Sequence, residues 1–299
     1  MTQIGIDFGG TKIEAAVLDK DGAFLTRQRV ATPDNYDAAL KTVVDLVAQV
    51  ERETGKARSI GIGVPGSISP RTGVMRNANT TYLNGSSFQK DLEQALGRAI
   101  RLDNDANCLA LSEVKDGAAA GARVTFAIII GTGCGGGVVV DGKLISGANG
   151  IAGEWGHIPL PWAHDEELQA PECWCGLFGC LEKWISGTGF RDDYQRRSGQ
   201  RPKGDEIVAL ARNGDAAAQA ALDAYVDRLG RGMAVIANIL DPDCFVLGGG
   251  MSNVTELYDR LKPVIDRYTF SDAWDAKIVP AKWGDSSGVR GAAHLWPAE

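Results

Sequence analysis

The 299-residue chain has no apolar run approaching the roughly 18 to 20 residues that span a bilayer, and no charged-then-apolar leader follows Met1. The expectation is a cytoplasmic protein. A surplus of basic charge is also missing: 31 Lys and Arg stand against 38 Asp and Glu, a net charge of -7 with a pI near 5.1. That balance argues against nonspecific nucleic-acid binding, which rests on neutralising phosphates. No G-x-x-x-x-G-K-[ST] occurs, which excludes a Walker loop. Gly61-x-Gly63-x-x-Gly66 and Gly131-x-Gly133-x-x-Gly136 match a dinucleotide fingerprint in spacing, but neither opens a helical pattern, as that fingerprint must. Linkers, repeat arrays and low-complexity segments are absent, and 44% hydrophobic content over this length suits two cored domains.

What is present begins at Ile4-Gly-Ile-Asp-Phe-Gly-Gly-Thr-Lys12, an apolar strand ending in a carboxylate and a glycine pair. The apolar run resumes at Ile13 to Leu18, so the glycines join two strands as a hairpin. Glycine lets backbone N–H groups approach phosphate oxygens, and Asp7 at the strand tip suits the metal that accompanies them. The pattern repeats: Val124 to Ile130 runs into Gly131-Thr-Gly-Cys-Gly-Gly-Gly137 and then Val138 onward. Two such hairpins, each opening about half of the chain, predict a duplicated α/β architecture holding a nucleotide, with Gly9, Gly10, Thr11 and Lys12 on one side and Gly131, Thr132, Gly133, Gly135 and Gly136 on the other. The expected lobes are 1–118, with a C-terminal helix over 285–299 packing back on it, and 119–284.

Between the hairpins, Tyr36 to Thr54 has helical apolar spacing stopped by Gly55, and Ser59 to Val64 reads as a buried strand. No regular pattern follows until Phe88. A loop of that length is usually functional, and its polar tips Asn77, Asn79, Thr80, Thr81 and Asn84 could meet a hydroxylated ligand or simply serve the turns. Asn104 and Asp105 stand where a strand ends and a helix begins. They suit a helix N-cap equally with a ligand site at a strand edge. The neighbouring phosphate-type hairpins favour Asp105 as the base that takes a proton from a phosphoryl acceptor. Asp215 to Leu240 predicts one long helix, and Asp243 to Leu247 a buried strand entering Gly248-Gly-Gly250, where a nucleotide contact and a tight packing turn are both open readings.

The densest cluster is Glu154-Trp-Gly-His157 followed by Cys173-Trp-Cys-Gly-Leu-Phe-Gly-Cys180-Leu-Glu182. One His and three Cys, at 157, 173, 175 and 180, form a four-ligand set for structural zinc, and Gly176 and Gly179 permit the turns that thiolate convergence needs. With every position filled by protein, the metal would pin the excursion from Pro159 to Pro171. Cys108, Cys134 and Cys244 read as buried free thiols, His164 as surface and His294 as structural.

These stretches, in this order and nearly end to end, resemble the ROK family (repressor, open reading frame, kinase) of bacterial sugar kinases. The stretches at 66–74 and 77–85 look most like fructokinases of the manno(fructo)kinase type. The resemblance implies an actin-like ATPase (ribonuclease H-like) fold with ATP between two lobes, and phosphoryl transfer to the 6-hydroxyl of a hexose, with fructose expected. N-acetylglucosamine kinase and glucokinase are the alternatives within the family. It assigns Asp105 as general base and Asn104, Glu154, His157 and Glu182 as partners of sugar hydroxyls, with Gly66 and Asn79 as further candidates for substrate contact. Asp7 falls near Mg2+, zinc stays structural, and a homodimer is the default. Two other classes compete: a sugar-sensing regulator, whose DNA-binding segment would precede the first hairpin where only three residues stand before Ile4, and an actin-like ATPase without sugar transfer.

Overall fold

The computed structural model describes residues 2–296. The chain forms two compact units, Met1–Ala120 with Gly137–Ala152 and Lys282–Glu299, and Gly121–Gly136 with Gly153–Ala281.

In the first unit, β1 (Gln3–Phe8), β2 (Lys12–Leu18) and β3 (Phe24–Ala31) form an antiparallel meander. After α1 (Tyr36–Thr54), β4 (Ser59–Val64) returns parallel to β1. Short strands β5 (Ser67–Ile68) and β6 (Met75–Arg76) pair with each other, α2 (Phe88–Leu96) follows, and β7 (Arg101–Asn104) joins parallel to β4 ahead of α3 (Asp105–Lys115). The sheet order is β3-β2-β1-β4-β7. Alternation along the strands decides what covers each face. Ile4, Ile6, Ile60 and Ile62 share a core with Ala39, Val43, Leu46, Val47 and Val50 of α1. The intervening Gly5 and Gly61 admit the backbone of the C-terminal helix Ser287–Ala293. A Cβ at Gly5 would lie 1.9 Å from the Val289 oxygen, and one at Gly61 would lie 1.8 Å from that of Ala292. The spacing that mimics a dinucleotide fingerprint at 61–66 therefore has a packing cause at its first position.

α1 has the bounds its apolar spacing predicts, capped by the Asn35 side chain, which accepts from Ala38 N–H, and ended by Gly55. The stretch after Pro65 departs from the patternless loop expected: besides the β5–β6 ribbon it contains a short turn of helix, Thr81–Leu83. The C-terminal helix takes no cap bond from Ser286, and Ser287 Oγ instead donates to Glu113 at 2.8 Å.

The second sheet repeats the order, with β8 (Val124–Ile130), β9 (Cys134–Val140), β10 (Lys143–Leu144), β11 (Cys244–Gly248) and β12 (Lys277–Pro280) arranged β10-β9-β8-β11-β12. β11 runs parallel to both β8 and β12. The segment Gly137–Ala152, assigned from the sequence to the second lobe, clusters with the first unit. Gly137 is the reason at its start, since a Cβ there would meet the Ala106 oxygen of α3 at 2.5 Å.

The helices of the second unit are α4 (Glu182–Ile185), α5 (Gly187–Ser198), α6 (Gly204–Arg212), α7 (Ala216–Leu240) and α8 (Glu256–Tyr268). Asp215 caps the long α7 as its spacing predicts, yet the buried face also includes Arg228 and Arg231. Among the described residues no disulfide forms, and Cys108, Cys134 and Cys244 are buried. Among the described residues no helix is long and apolar enough to cross a membrane.

Candidate active site

In the first unit the tip of β1 brings acids together. Asp7 lies opposite Glu14 in the β1–β2 register. It keeps some solvent exposure, but the protein around it pushes its carboxyl up to about 7. Burial is the largest cause, followed by the negative charges of Asp105 and Glu14, while Lys12 and Arg29 pull the other way. Glu14 is itself buried and held by Arg27 and Arg29, each donating from Nε at 2.9 Å. The turn at Gly9, Gly10, Thr11 and Lys12 closes as a hairpin, with Gly9 N–H donating to the Lys12 oxygen at 3.0 Å and Thr32 Oγ1 donating to the Gly9 oxygen at 2.7 Å. Gly10 and Thr11 are exposed.

At the strand-to-helix junction the helix-cap reading of Asn104 holds. Its Oδ1 accepts from Ala106 N–H at 2.8 Å, a helix cap, while its Nδ2 donates to the Gly66 oxygen at 3.1 Å. Asp105 opens α3, with Oδ1 accepting from the same Ala106 N–H at 2.8 Å. Asp103, which the sequence reading passed over, accepts from Asn107 at 2.7 Å, and burial raises its carboxyl. Gly66 has φ +78°, and a Cβ there would strike the Arg76 oxygen at 2.4 Å, so the turn requires glycine. Asn79 is exposed. Asn84 has a turn role: its side chain bonds both the N–H and the oxygen of Ala78, at 2.8 and 2.9 Å.

In the second unit the glycine turns adjoin. Gly131 N–H donates to the Gly133 oxygen at 3.0 Å, and Thr188 Oγ1 donates to the Thr132 oxygen at 2.8 Å. Gly249, with φ +81°, lies so near β8 that a Cβ would be 2.7 Å from the Ile130 oxygen. The packing reading thus holds at that residue. Gly136 is likewise packed, its hypothetical Cβ being 2.7 Å from both the Gly153 oxygen and Phe126 Cζ. Cβ atoms at Gly131 and Gly250 would meet nothing within 4 Å, and neither residue has positive φ. Nothing in the fold demands glycine there. Gly135 is half-buried in β9, and Gly248 ends β11.

The four ligand atoms of His157, Cys173, Cys175 and Cys180 lie within 4.8 Å of one another. Cys175 and Cys180 Sγ are 3.6 Å apart, and Cys173 Sγ is 3.7 Å from His157 Nδ1. Zinc bonds of about 2.3 Å to sulfur and about 2.0 Å to nitrogen give tetrahedral edges of about 3.8 Å and about 3.5 Å, so these thiols and imidazole fit that ion. Nδ1 is the ring nitrogen turned to the thiols. Beside them, Glu182 Oε2 accepts from Cys134 N–H at 2.9 Å and Oε1 accepts from Trp174 Nε1 at 2.7 Å. Glu154 is exposed ahead of the short turn Trp155–His157.

The ROK family model matches residues 3–299. The chain belongs to the ROK family. This ROK chain is 40% identical over 296 residues to an N-acetyl-D-glucosamine kinase of Photobacterium profundum, covering 97% of this chain and 98% of that protein. It superimposes on a ROK hexokinase from Thermus thermophilus with TM-score 0.86 at 33% identity, covering 98% and 97% of the two chains. A ROK family glucokinase from Streptomyces griseus, solved with glucose and AMPPNP, matches with TM-score 0.82 at 29% identity over 99% of each chain. The repeated sheets are accordingly those of the actin-like ATPase fold.

One element of the ROK chain escaped sequence reasoning. The 159–171 excursion is anchored by a buried ion network: Glu167 accepts from Arg228 Nε at 2.6 Å and from Arg231 Nη2 at 2.8 Å. Arg231 Nη1 also donates to the oxygens of Pro161 and Trp162 at 2.7 Å. The excursion thus has an anchor independent of the Cys/His cluster. His164, half-exposed, has its Nε2 3.4 Å from Asp227. His294 is packed in, and burial lowers its ring to about 4, which keeps it neutral.

Proposed function

We propose that this ROK chain is an ATP-dependent hexose kinase acting on N-acetylglucosamine, transferring the γ-phosphoryl group to the 6-hydroxyl. The observation that carries the sugar assignment is 40% identity, across almost the full length of both proteins, to an N-acetyl-D-glucosamine kinase. Fructose, the expectation drawn from the 66–85 loop, recedes behind it. Asn84, one of that loop's polar residues, serves the turn by bonding Ala78.

Asp105 accepts the proton of the attacking 6-hydroxyl as the O–P bond forms and ADP leaves. Asn104, Glu154, His157 and Glu182 hold other sugar hydroxyls, with Gly66 and Asn79 shaping the approach. Backbone N–H groups around Gly9 to Lys12 and Gly131 to Gly136 receive phosphate oxygens, and the open positions Gly131 and Gly250 support a ligand approaching the bare backbone there. Mg2+ bound with ATP offsets phosphate charge; Asp7, whose carboxyl is raised by burial and neighbouring acids, suits such a cation. His157, Cys173, Cys175 and Cys180 would hold a structural zinc, and a His157 bound to it through Nδ1 would keep Nε2 for the sugar.

The test is ADP release from Mg-ATP with N-acetylglucosamine, N-acetylmannosamine, glucose, mannose, fructose or no sugar. The highest kcat/KM is expected with N-acetylglucosamine. Fructose in first place restores the loop-based reading, and turnover indifferent to every sugar overturns the kinase reading.

A further inference from the structure

Trp174 stands between two metal-ligand cysteines and is 62% exposed, yet it does not float. Its indole N–H donates to Glu182 Oε1 at 2.7 Å, and its ring meets that of His157 edge-on, with centroids 5.1 Å apart and planes at 86°. Burial does not force this placement. It follows from the backbone turn around it: Cys173 N–H donates to the Leu177 oxygen at 2.8 Å and Gly176 N–H to the Cys173 oxygen at 2.9 Å. One indole thus touches two of the groups assigned to sugar hydroxyls.

A carboxylate rotates about its terminal torsion unless donors hold both oxygens. Glu182 has two such donors, the Cys134 N–H on Oε2 and the Trp174 N–H on Oε1. The first aligns Glu182 with the glycine turn and the second with the Cys/His loop. Each carboxylate oxygen can accept two hydrogen bonds, so an acceptor position remains on each for a sugar hydroxyl.

We infer that Trp174 is a positioning residue for sugar binding, setting the orientation of Glu182 and its distance from His157 so that the pair meets adjacent hydroxyls of one sugar. The inference rests on the kinase reading above. Without the indole N–H, Glu182 is held at one oxygen only and must be ordered by the sugar itself, which weakens sugar binding and leaves the ATP side untouched.

The experiment compares wild type with Trp174→Phe, which keeps a ring and removes the N–H. Metal content is measured by mass spectrometry, sugar Kd by calorimetry without nucleotide, and KM for sugar and for ATP by steady-state kinetics. Loss of one hydrogen bond to a charged group predicts sugar Kd and KM raised about tenfold. KM for ATP and the metal content stay as in wild type. In a Glu182→Gln background the same substitution has little further effect, because it acts through Glu182. An unchanged sugar Kd in metal-loaded Trp174→Phe overturns the inference. So do full additivity with Glu182→Gln and loss of the metal, which would make Trp174 a support of the metal loop only. Wild type that neither binds nor turns over any sugar defeats the kinase reading itself, an outcome separate from wild-type behaviour of the variant.

Discussion

Asp7 of the first unit is crowded by other acids, whereas Glu182 and Glu167 of the second are tied down. Burial, with the charges of Asp105 and of Glu14 opposite it, overcomes Lys12 and Arg29 and pushes the Asp7 carboxyl up to about 7. In the second unit Glu182 has an N–H donor on each oxygen. Burial of Glu167 pushes its carboxyl up, but bonds from Arg228, from the His164 N–H and from Arg231 hold it below the ordinary carboxylate range. The difference separates two uses of a carboxylate. Uncompensated acids are ready for a cation or a proton, and compensated ones hold a shape.

The largest effect should come from the crowded side. Asp105→Asn should lower kcat by about 10²- to 10⁴-fold, the usual contribution of a general base. Folding and sugar Kd should stay near wild type, because Asn104, not Asp105, supplies the α3 cap. Near-normal turnover, read in the ADP-release assay, would remove Asp105 as base and break the contrast at its functional end.

Next comes a pH effect. Asp7 is raised from 3.8 to about 7, so between those values the folded protein holds a proton that the unfolded chain has released. Stability from this group is present below about pH 4 and is lost as pH rises through about 7. Asp7→Asn cannot ionise and should be more stable than wild type at pH 8, by at most about 4 kcal/mol, with the gap closing towards pH 4. Urea melts across that range check it. A gap independent of pH would mean that Asp7 is already compensated.

Much of this was legible because local chemistry announced it. Alternating apolar residues broken by Gly9-Gly10 gave the first hairpin, and Cys/His spacing gave the four-ligand cluster. What stayed hidden depends on distant partners. Arg228 and Arg231 look like interruptions of the α7 apolar face, since Glu167 lies 61 and 64 residues away. The β5–β6 ribbon has two residues per strand, too few to display a period. The membership of 137–152 in the first unit turns on Gly137 against α3. Glycine itself was ambiguous: the same letter marks a packed backbone at Gly61 and open space at Gly131.

That ambiguity gives the smallest expected effects and the finest test of the second unit. Gly136→Ala places a methyl 2.7 Å from the Gly153 oxygen and Phe126 Cζ. Overpacking of this kind costs about 1–3 kcal/mol, and it should appear in a urea melt. Gly250→Ala meets no protein atom within 4 Å and needs no positive φ, so the melt should match wild type. If a nucleotide uses that open backbone, the methyl instead raises KM for ATP. A Gly250→Ala enzyme with wild-type KM would show the open space at that turn to be incidental, leaving Gly131 as an open backbone position of the second unit.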